Sequence, residues 1–180
     1  MRHGRVGAIA LGVVITIGVG GCAGFPFAGN APDPVPSWDP TAKKPVMLQE
    51  WQDGFVPAED WNVDTVRIYG DGRWEAERQY ASGLDKPPVM VASGSLSSDA
   101  LHDLLGTVFT RNASGKRFLD LPERVDAGIT DVPITRLAVD IQNASHSVSV
   151  SGPNPDAFDR VQKAMAARTI AVPFPDGGFP

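Results

Sequence analysis

The chain predicts an α+β fold, an antiparallel sheet of two hairpins plus one or two further strands with two helices packed on one face as a two-layer sandwich. Two observations carry this. Apolar and polar residues alternate with the period of two that half-buried strands require, around Gly70-Asp71-Gly72 and again around Gln142 to Ser145. After each of these regions comes a segment whose apolar residues recur every three or four positions, as on a helix with one buried face.

At the N-terminus, Arg2, His3 and Arg5 precede an uncharged run from Val6 to Val19 of Val, Ile, Ala, Leu and Gly with one Thr. A basic start and a short apolar run have the form of a secretory leader. The competing reading, an uncleaved membrane-crossing helix, needs roughly 20 apolar residues. The run closes on Val19-Gly20-Gly21-Cys22, and Cys22 is the single cysteine of the 180 residues. This segment resembles the lipobox-type signal of bacterial lipoproteins. The resemblance implies a diacylglyceryl group on the Cys22 thiol, cleavage after Gly21 and a mature chain held at a membrane. Two acyl chains, at about 0.8 kcal/mol per buried methylene, anchor stably where one is marginal. The expected organisation is a leader over 1–21, a proline-rich tether over 22–45 and one domain over 46–180. Proline-rich chain extends by about 3.1 Å per residue, so the tether is a spacer.

Loss of Arg2 and Arg5 with the leader leaves 14 of 16 basic residues against 21 acidic ones, a net charge near −7. That balance argues against a nucleic-acid partner. It equally disfavours adhesion to anionic lipid without the acyl group. With one cysteine there is no intramolecular disulfide and no cysteine-based zinc site. An excess of arginine over lysine suggests a GC-rich bacterial genome, and with it the extracytoplasmic face of the cell membrane. Ala23 after the cysteine keeps the outer membrane as the alternative.

In the first hairpin Val66 and Ile68 face Trp74 and Ala76. A two-residue loop would place Ile68 opposite Glu75, so parity selects the three-residue loop Gly70-Asp71-Gly72 with Gly72 left-handed. Arg67 then lies across from Glu75, and Tyr69 across from Arg73. A strand from Pro88 to Ala92 leads to a helix capped by Ser97, with a Leu96–Leu101 staple, Asp99 in its first turn, and Leu101, Leu104, Leu105, Val108 and Phe109 buried. The second hairpin sets Leu137, Val139 and Ile141 against His146, Val148 and Val150, which requires an even-numbered loop within Gln142 to Ser145 and puts His146 opposite Ile141. Asn154-Pro155 opens the last helix, with Phe158, Val161 and Met165 on its buried side and Arg168 near its end. From Thr169 an apolar, proline-rich tail is expected to add one more short strand. The order of elements, with Ile68-Tyr69-Gly70-Asp71-Gly72 and Asp131-Val132-Pro133-Ile134-Thr135, resembles a bacterial family of small exported domains of unknown function over residues 63 to 166. It implies a fold and no catalytic residues.

Few residues combine into chemistry. His102 lies beside Asp99 and Asp103, and His146 on an apolar strand face; neither gathers the further ligands zinc needs. No Gly-x-Ser-x-Gly elbow surrounds any serine. Ser114-Gly115-Lys116-Arg117 lacks the upstream glycine and following hydroxyl of a phosphate loop. Asp60, Asp64 and Asp71 are too scattered for a calcium loop. The candidate binding residues are therefore Trp51 and Trp61, aromatic anchors before the first hairpin, and Arg111, Lys116 and Arg117 in the long stretch from Thr110 to Pro133. The expectation is a lipid-anchored, non-catalytic binding or scaffolding module. Its expected partner is an envelope protein or a cell-wall component, with no cofactor and no metal. The alternatives are a small envelope hydrolase and a carrier of an apolar ligand.

Overall fold

A computed structural model of the chain describes residues 34–54, 57, 61–80, 87–128 and 132–169. Cys22 and the expected tail strand after Thr169 lie outside the described residues. The elements run β1 (Pro45–Gln52), β2 (Asn62–Tyr69), β3 (Arg73–Tyr80), β4 (Val89–Ser95), α1 (Ser98–Phe109), β5 (Arg124–Asp126), β6 (Ile134–Ile141), β7 (Ala144–Ser151) and α2 (Asp156–Thr169). The seven strands form one mixed sheet in the order β4-β3-β2-β1-β6-β7-β5. The class is α+β, as expected, but the strand count exceeds two hairpins plus one or two strands.

The excess has identifiable causes. β1 is the central strand, pairing antiparallel with β2 on one side and β6 on the other, and so joins the two hairpins. Its alternation is hidden in the sequence. The register slips between Pro45 and Met47, and the inward position between Met47 and Trp51 is a glutamine, Gln49. β5, of three residues, runs parallel to β7 at the edge, so the sheet is not purely antiparallel.

The first hairpin has the expected register. Ile68 pairs with Trp74 and Val66 with Ala76. Gly72 takes φ 85°, and its amide donates to Tyr69 O at 3.0 Å. Arg67 faces Glu75 in register, but its ion pair is with Glu77, while Glu75 accepts from Tyr69 Oη and Arg73. In the second hairpin the loop is Gln142-Asn143. This sets His146 opposite Val139, not Ile141, because a two-residue loop leaves Ala144 to pair with Ile141.

Ser97 Oγ accepts from Ala100 N at 3.1 Å and caps α1, whose five expected apolar residues are all buried. They share one core cluster with Met47, Val66, Ile68, Trp74, Leu137, Val139 and Val148 from a single sheet face, and with Phe158, Val161 and Met165 of α2. Both helices therefore cover the same face. Within the stretch from Thr110 to Pro133, residues 110–128 are held to the domain by a short 3-10 turn, Phe118–Asp120, whose Phe118 is fully buried and meets Phe158 at a centroid distance of 6.2 Å.

Candidate functional site

The sheet has two ends. At one lie the start of β1, the β2–β3 turn, the β6–β7 turn and the start of α1; at the other lie the end of β1, the start of β2 and the end of β3. Residues 34–44, in the segment expected as tether, cross the first end. Val35 and Trp38 pack against the core. Ser37 Oγ donates to Gln142 Oε1 at 2.8 Å, and Trp38 Nε1 donates to Gly70 O at 2.9 Å. Asp39 Oδ1 accepts from both the amide and the hydroxyl of Thr41, and the Thr41 hydrogen bonds hold its carboxyl below the usual range. Gly70 is required beneath this strap, because a Cβ there would collide with Asp39 O.

Between strap and domain lies an open cleft of about 410 Å³, lined by Ser37, Trp38, Pro40, Gly70, Asp71, Gly72, Ser98 and Leu101. Leu101 is its buried floor, and the half-buried Trp38 ring is one wall. His102 lies beside the ring, 6.2 Å away between centroids and tilted by 43°. Asp71 is exposed; its Oδ1 accepts from Arg73 N at 3.0 Å, and its Oδ2 is 3.9 Å from Arg73 Nε. The size falls within the about 300–1,000 Å³ of small-ligand sites, and an apolar lining with a few polar groups is their usual composition.

At the opposite end the helix-facing positions are polar. Asp64 receives two hydrogen bonds from Arg78, at 2.6 and 2.7 Å, and that pairing raises the Arg78 guanidinium further above its ordinary value. Trp51 stands between Asp64 and Thr135 in register. Asn62 Nδ2 donates to Asp53 Oδ2 at 2.7 Å, and burial chiefly raises the Asp53 carboxyl. Gln49, 4 % exposed, has a buried Nε2 that makes no hydrogen bond among the described residues.

The expected binding residues are distributed over different elements. Trp51 is buried on β1 and Trp61 is half-buried just before β2, so both belong to the polar end. Arg111, Lys116 and Arg117 follow α1 in a closed turn. Asn112 Oδ1 accepts from the amides of Ser114 and Lys116, and Arg111 Nη1 donates to Gly115 O. Arg117 pairs with Asp120, whose carboxyl is pulled down to about 2, chiefly by the Arg117 side chain. His146 Nε2 is 2.9 Å from Leu121 O, with its ring edge-on to Phe118. Sequence reasoning missed the cleft, although Trp38 was its available signal. A tryptophan is costly to leave in solvent, and this one stands alone among prolines.

Among the described residues no helix is long and apolar enough to cross a membrane, and no three His, Cys, Asp or Glu side chains gather for a metal. Compared with known proteins, the chain matches no family model and no curated sequence.

Proposed function

We propose that this protein is a lipid-anchored extracytoplasmic lipoprotein whose α+β domain binds an envelope or cell-wall component without transforming it. The observation that carries the binding reading is the cleft between the strap and the domain, open to solvent and walled by a fixed tryptophan. The anchor rests on Val19-Gly20-Gly21-Cys22 behind its apolar run. Among the described residues the two histidines each lie against an aromatic ring, His102 near Trp38 and His146 edge-on to Phe118, which favours binding over proton transfer. The space between sheet and helices is filled by fully buried Leu104, Leu105, Val108 and Phe158, which disfavours a carrier of an apolar ligand.

Strap and anchor together set the domain's distance from the membrane. With Val35 already packed on the core, only residues 23–34 separate the anchor from the folded unit. The anchor is tested by the intact mass of protein recovered from membranes, beside a Cys22→Ala variant. A chain starting at Cys22 with a diacylglyceryl-sized increment, absent from the variant, is the expected result. An unmodified full-length chain in the membrane fraction would overturn it in favour of an uncleaved helix.

A further inference from the structure

The lining of the cleft restricts the chemistry of what it holds. An anionic ligand would face the exposed Asp71 carboxylate, with Asp99 in the first turn of the adjoining helix, on a chain of net negative charge. A purely apolar ligand would cover that carboxylate and the Ser37 and Ser98 hydroxyls without giving them partners, at a desolvation cost. An organic cation at Asp71 would meet the like charge of the Arg73 guanidinium, whose Nε lies 3.9 Å from Asp71 Oδ2. A neutral ligand with one apolar face and several hydroxyls fits all three restrictions. Its C–H face covers the Trp38 ring and Leu101, and its hydroxyls donate to Asp71, whose carboxylate keeps acceptor sites beyond the one used by Arg73 N.

Building on the binding reading above, we propose that the cleft is the ligand site and that it takes a neutral pyranose ring, stacked on Trp38 and hydrogen-bonded through Asp71 and Ser98. Trp38 is preorganised for this by its bond to Gly70 O and its contact with His102, so little ordering remains when the sugar arrives. Because that wall belongs to the strap, the site is incomplete without residues 37–40.

The test is a titration of the ¹⁵N-labelled full chain, in a zwitterionic detergent without a sugar headgroup, with N-acetylglucosamine trimer, maltotriose, benzylamine and acetate. Saturable shifts with at least one sugar are expected at the Trp38 indole N–H and the amides of Gly70, Asp71, Gly72 and Ser98. Asp71→Asn should weaken the affinity several-fold, and Trp38→Ala tenfold or more. Since Trp38→Ala could also loosen the strap, Ser98→Leu serves as a second variant. It narrows the cleft from the helix side and should abolish the shifts with the remaining spectrum unchanged. Shifts with benzylamine alone would overturn the sugar assignment while leaving a binding module. No shift with any probe would overturn the cleft as a site, and the mass measurement would still decide the anchor independently.

Discussion

The two ends of the helix-covered sheet face are built from the same strands by opposite means. At the strapped end Met47, Ile68, Trp74 and Val139 pack into the apolar core shared with α1 and α2, and cohesion comes from burial. At the other end, one or two pairs further along the same strands, those positions hold Gln49, Asp64, Arg78 and Thr135. Cohesion there depends on a bidentate ion pair that must remain complete. The apolar end can therefore support a cleft on its rim, where the exposed Asp71 carboxylate keeps acceptor sites for a ligand, whereas the polar end has committed its charges to one another.

Removing one partner of the buried pair should have the largest effect. Asp64→Ala leaves the Arg78 guanidinium, 18 % exposed in its side chain, without its bidentate partner, and urea denaturation should show a loss of about 3–5 kcal/mol. Replacing both residues at once, Asp64→Leu with Arg78→Met, should cost little or even stabilise. A large loss in the double variant would mean that the pair has a role beyond mutual satisfaction. At the apolar end, Ile68→Ala removes a fully buried side chain and should cost about 2–5 kcal/mol through the cavity it leaves.

The strap allows a milder perturbation. Gly70→Ala forces a methyl against Asp39 O, and overpacking of this kind costs about 1–3 kcal/mol. The domain should stay folded while the Trp38 indole N–H loses its exchange protection. Retained protection would show that Gly70 is not what seats the strap. The smallest expected effect is acid-dependent. The Asp120 carboxyl is held at about 2 by Arg117, below its ordinary value near 4, so its stabilisation is present above about pH 4 and fades as the pH falls toward 2. Solvent screening of this exposed pair limits it to under about 1 kcal/mol. Asp120→Asn should flatten the stability profile in that window alone, as followed by urea titrations at successive pH values.

What the sequence disclosed follows the same division. Where burial is apolar, period and parity fix which residues face inward, as in the register of the first hairpin and the buried face of α1, but parity leaves loop length open, and in the second hairpin a two-residue loop moves His146 from Ile141 to Val139. Where burial is polar, the period has no apolar signal. β1 escaped notice because Gln49 interrupts its inward row and the register slips after Pro45, and β5 because three residues are too few to show alternation. The strap was hidden by composition, since prolines that suggest a free spacer also allow an extended segment to lie along a surface. Of the residues singled out for binding, Trp51 and Trp61 come to the polar end, while Arg111, Lys116 and Arg117 occupy the turn after α1. The cleft instead draws on Trp38 and Asp71, which only the fold brings together.

The most direct test of the claim that binding belongs to the strapped end is amide hydrogen exchange of the full chain, with and without soluble cell-wall glycan fragments. Slowed exchange at residues 70–72 and 98–101, with no change at residues 49–52, 62–64 and 76–78, is the predicted result. Slowed exchange confined to the polar end would contradict it and move the site to the far side of the same sheet face.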